Sequence, residues 1–163
     1  RPPRSSLDRA SAASDVYKRQ IFTKTKKNFI NQGYQLIFIP SMRTPQRIID
    51  KARNFFDDDQ IIIQDIDKKA YLSSLKLANH IIVTCDSTSM ISEAAMSGRP
   101  IYVAQMPAIK KNIRFKKFFE LFKSLEIIKN LGDGVEEWNY KKLNETDRIS
   151  GYIEKQFKDY DFS

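Results

Sequence analysis

The chain has 163 residues, a formal charge of +8, and is 41% hydrophobic and 29% charged. That length fits one domain with its own core, and the charge favours anionic ligands or surfaces without naming one. A single cysteine, Cys85, excludes an internal disulfide framework and fits a reducing compartment, and no apolar run approaches the ~20 residues that span a bilayer.

Residues 1–20 read unlike the rest. Ser11–Gln20 (SAASDVYKRQ) back-translates into a string that resembles a tagmentation sequencing adapter ending in a transposon mosaic end. Arg1–Ser5 (RPPRS) resembles the flow-cell primer that precedes it. A transit peptide would be acid-poor and amphipathic, whereas Asp8 and Asp15 interrupt this stretch and it has no apolar period. Residues 1–20 are therefore expected to be a translated adapter artefact, disordered or arbitrarily placed, and 21–163 to be the domain. The segment 1–20 holds five basic residues and two aspartates, so it carries +3 of the charge and leaves +5 on the remainder. An adapter at this place implies a metagenomic, bacterial source and a coding sequence cut at its 5′ end.

Ile21–Gln32 has helical character and ends at Gly33. Tyr34–Ile39 (YQLIFI) is a short apolar run closed by Pro40, a buried strand. Thr44–Phe56 is a helix with Pro45 at its first position and Ile48, Ile49, Ala52, Phe55 and Phe56 on one face. Asp57–Asp59 turns into a second strand, Gln60–Gln64. Lys69–Ala78 is a short helix with Tyr71, Leu72, Leu75 and Ala78 as its apolar side, and His80–Thr84 a third strand. Ser87–Ser97 is a helix stopped by Gly98 and Pro100, and Ile101–Ala104 a fourth strand. Asn112–Leu125 is a helix with a Phe stripe read as core. A loop with Gly132, Gly134 and Trp138 follows, and Glu145–Lys158 is the last helix. Alternating helices and continuous apolar strands define a doubly wound α/β parallel sheet, Rossmann-like, with right-handed crossovers.

Ligands of such sheets bind beyond the carboxyl ends of the strands, which singles out three loops. In the first, Ser41 and Thr44 can cap the next helix, and Arg43 offers a planar charged fork suited to phosphate. An anion site and an ordinary capped turn with a solvent-facing Arg fit these residues equally. In the second, Ser87, Thr88 and Ser89 crowd a helix start, and Glu93 shares a helix face with Ser89. A carboxylate there can accept from ribose hydroxyls; a plain N-cap and a dipole-favoured Glu93 fit as well. The third loop, from Gln105 to Arg114, is basic and reads as solvated, with Gln105 and Arg114 as weaker ligand candidates. His80 has no partner at metal spacing and reads as structural; no metal site is expected. Cys85 has Asp86 beside it, which does not activate a thiol. There is no P-loop, GxGxxG or Ser-His-Asp set, which argues against an NAD-dependent epimerase, and no nucleic-acid surface.

SxxxEAxxxGxP, from Ser89 to Pro100, resembles the donor-site signature in the C-terminal half of GT-B glycosyltransferases. More narrowly, PSMRTP, LANHIIVTCDSTSMISEAAMSGRPIYV, RFKKFFELF and a late Trp resemble the elongated-mitochondria (mitochondrial fission factor) family over nearly all of 33–157. Its bacterial members are often labelled nucleoside-diphosphate-sugar epimerases. The resemblance implies two Rossmann-type domains in a GT-B-like arrangement, of which this chain holds the second, its N-terminal partner domain missing. That half binds the nucleotide-sugar. Glu93 would hold the ribose. Ser87, Thr88 and Ser89 would face the diphosphate, and Ser41, Arg43 and Thr44 would complete the anion site. No cofactor or metal is implied for the transfer, and no catalytic residue is assigned, because the acceptor site and base would lie in the missing domain. The alternative is a non-enzymatic interaction protein: in plants the family is implicated in recruiting a dynamin-like fission factor to mitochondria. Either reading places the protein in the cytoplasm and allows a peripheral contact with the inner membrane. Met42 stands where the family usually has a second Arg, which weakens the anion site; Cys85 replaces an acidic or small polar residue.

Overall fold

The structure, a computed structural model, describes residues 6–105, 113–132 and 134–158, with side chains for 16–105, 115–132, 134–144 and 149–157. Among the described residues no helix is long and apolar enough to cross a membrane.

Helix α1 (Ser6–Asn28) leads through a 3-10 turn, Ile30–Gln32, to Gly33, which takes the left-handed conformation at φ 89°. It starts at Ser6, not at Ile21 as expected. From Ser6 onward the segment has no Gly or Pro. Ala10, Ala12, Ala13 and the straight-chain Arg9, Lys18, Arg19 and Gln20 all favour helix, so the helix propagates backward from the domain. The extension adds little to the core: Val16 and Tyr17 are 57% and 40% exposed, and no side chain from 16 to 20 is buried.

Strands β1 (Ile37–Phe38) and β2 (Ile61–Ile62) flank helix α2 (Gln46–Phe55), and pair in parallel with Ile37 opposite Ile61. Pro45 is the N-cap of α2, one position before its expected place. Helix α3 (Lys68–Leu77) is capped by Asp67, whose carboxylate accepts from the N–H groups of Lys69 and Ala70. It buries no residue completely, and Leu72, expected on its apolar side, is exposed. Strand β3 (Ile81–Thr84), helix α4 (Thr88–Ala95) and strand β4 (Ile101–Ala104) follow. After helix α5 (Ile113–Ser124) comes strand β5 (Ile128–Asn130), in a segment expected to be loop, and the chain ends in helix α6 (Glu145–Lys158). Three residues with one charged member show no period, so β5 has no sequence signature. The Phe stripe of α5 is core only in part. Phe122 is buried, Phe118 and Phe119 are half-buried, and Phe115 and Leu125 are exposed.

All pairing is parallel, but the sheet is in two parts: β1–β2, and β3–β4–β5 with Ile81 opposite Ile101 and Ile101 opposite Ile128. Among the described residues the core falls into three clusters. Ile91, Ala94, Ala95, Ile101, Val103 and Ile127 centre the larger core of the β3–β4–β5 part, Phe22, Ile48, Ala52 and Phe56 form the smaller core of the β1–β2 part, and Phe29, Tyr102, Ala104 and Leu131 form a third. β4 is buried along its whole length, as a central parallel strand should be.

The end of helix α1 and the residue after it join the two parts. Phe22 packs on Phe38, Phe55 and Phe56 in the smaller core, while Phe29, two turns on, meets Tyr34, His80 and Tyr102. Asn28, buried, donates from Nδ2 to the Gly132 carbonyl at 2.8 Å, and Lys26 pairs with Asp57 at 2.8 Å.

Candidate functional site

β1 and β3 belong to separate sheets, and the segments that hold them line one cleft. Their two ends are tied by side chains. At the amino ends Tyr34 Oη and His80 Nε2 lie 3.2 Å apart. At the carboxyl ends Arg43 Nη1 donates to the Asp86 carbonyl at 2.7 Å. Between these ties runs a cleft of about 600 Å³, within the ~300–1,000 Å³ usual for small-ligand sites. Its floor is apolar, with Phe22, Ile39 and Leu75 among its walls, and Ser41, Arg43, Thr44, Thr84 and Asp86 line its carboxyl end. The polar end of the cleft lies beyond the carboxyl ends of β1 and β3, the side on which parallel α/β sheets bind their ligands.

The turn 41–44 is closed by its own side chains. Thr44 Oγ1 accepts from the Ser41 N–H at 3.0 Å, and the Thr44 N–H returns to the Ser41 carbonyl at 2.8 Å. Ser41 and Thr44 thus shape the turn rather than cap α2, which has no side-chain cap. Both hydroxyls are held at the cleft with the exposed Arg43 between them. Met42 is 89% exposed.

At the start of α4, Ser87 is the N-cap and its Oγ accepts from the Met90 N–H at 3.4 Å. Ser87, Thr88, Ser89 and Glu93 do not line the cleft, although Asp86 and Met90 on either side do. Glu93 is exposed and one layer out, and Tyr71 stands between it and the cleft: Tyr71 Oη donates to Glu93 Oε2 at 2.7 Å. Burial, reinforced by the hydrogen bond and negative charge of Glu93, pushes the Tyr71 phenol well above its ordinary range. Tyr71 was read from sequence as an apolar contact of α3. Its hydroxyl could have been flagged, since a half-buried Tyr usually finds a partner, but the partner lies on another helix.

Gln105 donates from Nε2 to Asn130 Oδ1 at 3.0 Å, an inter-strand tie at the far side of β4 and not part of the cleft. Residues 106–112 and the side chain of Arg114, the rest of the third candidate loop, lie outside the described residues. The His80 side chain is 3% exposed, ringed by Phe29, Tyr34 and Tyr102, and its Nε2 lies 2.9 Å from Glu137 Oε1. Cys85 packs against the larger core. Among the described residues no three His, Cys, Asp or Glu side chains are grouped as a metal site.

Comparison with known proteins adds the lineage. The family described as Mitochondrial fission ELM1 matches residues 8–157. The chain belongs to the mitochondrial fission ELM1 family. An uncharacterised protein of Rickettsia prowazekii (strain Madrid E) is 32% identical over 139 residues, 81% of this chain and 39% of its own length. A mitochondrial fission protein of this family from Arabidopsis thaliana is 31% identical over 93 residues, 53% of this chain and 20% of its own. The chain therefore spans well under half of either relative. No solved structure gives a significant match. The family reading of the PSMRTP and Ala78–Val103 segments holds, and those segments supply both strand-to-helix turns at the cleft.

Proposed function

We propose that the cleft between β1 and β3 holds the diphosphate of a nucleotide-sugar, making this chain the nucleotide-binding half of a glycosyltransferase-like family protein. The observation that carries the reading is Arg43, which lines the cleft and whose guanidinium joins the turn after β1 to the turn after β3 through the Asp86 carbonyl. A guanidinium presents several N–H donors in a plane and stays charged, so one bond to Asp86 leaves capacity for a phosphate oxygen. The Ser41 and Thr44 hydroxyls line the cleft beside it. Glu93, reached past Tyr71, would accept from the ribose. In such a site the chain's contribution is to position the donor and stabilise the charge that develops on the leaving diphosphate.

Titration of the chain with uridine and guanosine diphosphate, followed by amide NMR shifts, tests this. Shifts are expected at Arg43, Thr44, Thr84 and Asp86, and Arg43→Gln should weaken binding about 10-fold or more, the scale of a charge-assisted hydrogen bond. No shift at millimolar nucleotide would sink the reading.

A second reading is favoured by the name of the Arabidopsis relative, a mitochondrial fission protein: an interaction protein on the same scaffold, without turnover. The engagement of Glu93 by Tyr71 is compatible with it, since the carboxylate then has a structural partner. Glu93→Ala and Arg43→Gln in a family member that spans the length of these relatives separate the two. Unchanged cellular function favours the scaffold; loss favours ligand binding.

A further inference from the structure

Among the described residues β1 pairs only with β2, and β3 is paired on its β4 side alone. In a parallel ladder, alternate residues turn their N–H and C=O to one neighbouring strand and the residues between them to the other. The Leu36 and Phe38 carbonyls accept from the Ile61 and Ile63 N–H groups, so Ile37 and Ile39 turn theirs away from β2. The Ile81 and Cys85 N–H groups donate to the Pro100 and Ala104 carbonyls, so Ile82 and Thr84 turn theirs away from β4. The Thr84 carbonyl is taken up by the Ser87 N–H at 3.4 Å. All four residues line the cleft. A free strand edge of this kind is a template for another strand.

The walls of the cleft indicate which strand fits. Phe29 packs with Ile82 and Tyr102 on one face of β3, and Leu75 and Ala78 pack with Ile81 and Val83 on the other. Phe29, Leu75 and Ala78 all line the cleft. A strand covered on both faces is a continuous apolar run. The charged residues of the lining are Lys18, Arg43 and Asp86, two basic and one acidic. β1 and β3 run the same way, from the Tyr34–His80 tie to the Arg43–Asp86 tie. A strand parallel to both therefore brings its carboxyl end to Arg43, and a guanidinium pairs well with a carboxylate.

We propose that the cleft binds the apolar C-terminal peptide of a partner protein, added as a parallel strand between β1 and β3 with its terminal carboxylate on Arg43. Strand addition and capture of a C-terminal carboxylate are both general modes of peptide recognition. The inference rests on the interaction reading and not on nucleotide binding: a nucleotide would share Arg43 but has no use for the strand edges. Its failure is read at those edges, and failure of the interaction reading in the cell, so the two are separable.

The test is amide hydrogen exchange by NMR on the whole chain, with the probe peptide acetyl-Lys-Lys-Val-Val-Ile-Val carrying a free carboxylate. With peptide at about ten times its dissociation constant, exchange at Ile37, Ile39, Ile82 and Thr84 should slow about 10-fold, while Phe38 and Val83, whose N–H groups already face β2 and β4, should change little. The same peptide with a C-terminal amide should bind about 10-fold more weakly, the scale of a lost charge-assisted bond. Arg43→Gln should bind the acid and the amide equally. No binding at millimolar peptide overturns the proposal. So does binding that leaves the four amides unprotected, or an amide peptide that binds the unaltered chain as well as the acid. Protection of the four amides in the chain alone overturns it too, because β1 and β3 would then be paired to each other in solution.

Discussion

Arg43 and Tyr71 do different work at the cleft, and their chemistry predicts different consequences of removing them. Arg43 contributes charge at an exposed position, so its loss should weaken anion binding without unfolding the chain. Tyr71 contributes a hydroxyl that fixes the rotamer of Glu93. Tyr71→Phe leaves Glu93 exposed to water, so stability should fall by no more than ~1 kcal/mol, the net worth of one hydrogen bond. If the cleft binds a nucleotide as proposed, nucleoside affinity should fall further than pyrophosphate affinity, because only the nucleoside would present a ribose to Glu93; calorimetric titration with both ligands checks this. The same residue gives a pH dependence. Burial raises the phenols of Tyr71, Tyr102 and Tyr140 above the ordinary value, with Glu93 adding to the shift at Tyr71. Each holds its proton more tightly in the folded than in the unfolded state. The stability they contribute is therefore complete below the ordinary tyrosine range near ~10 and is lost as pH rises through the raised values. Melting temperature should drop above that pH in step with tyrosinate absorbance at 295 nm, and Tyr71→Phe should flatten part of the drop. None of this was legible from one chain position, because the partner that gives Tyr71 its role comes from a different helix.

The elements show where sequence patterns suffice. Helix α4 was legible because hydroxyls open it and Gly98 and Pro100 close it. Gly98 adopts φ 74°, and a Cβ there would come within 2.5 Å of the Lys142 Cε. Gly33, at φ 89°, has nothing within 4 Å of such a Cβ. Gly33→Ala should cost about 1–2 kcal/mol from the left-handed backbone alone, and Gly98→Ala more, unless the flexible lysine yields. Denaturant unfolding of both variants measures the difference. Under the same helix Ile91 is fully buried in the larger core, and Ile91→Ala should cost about 2–5 kcal/mol. Short strands fared less well. Tyr34–Ile39 and Gln60–Gln64 read as strands, but only two residues of each pair. β5 was missed because an edge strand of three residues gains its order from β4, through Leu131 N–H to the Val103 carbonyl at 3.0 Å, rather than from its own pattern.

At the scale of the molecule, the alternation of apolar runs was enough to give a parallel α/β fold but not the division of its sheet. That division depends on whether β1 and β3 exchange backbone bonds, and the side chains that tie their ends, Tyr34 to His80 and Arg43 to Asp86, are far apart in sequence. The β1–β2 part needs a brace to the rest, and the end of α1 supplies it: Phe22 packs in the β1–β2 core, and Phe29, the residue after the helix, in the cluster with Tyr102 on the β3–β4–β5 part. The brace lies in the last turns of that helix and the residue after it, and the earlier described side chains of the helix, 16–20, are not buried. Length of helix and contribution to stability therefore part company here. Deleting residues 1–20 should lower stability by less than ~1 kcal/mol, the range of surface changes that touch no core feature. Phe22→Ala should cost about 3–5 kcal/mol, as truncation of a buried phenylalanine does. Hydrogen exchange localises the second effect. In Phe22→Ala, protection should fall first in α2, β1 and β2, whose core is small, and last in β3 and β4, whose core is intact. Equal loss across both parts would mean that the sheet unfolds as one unit despite its gap, and a large loss on deleting 1–20 would mean that the brace begins earlier than Phe22.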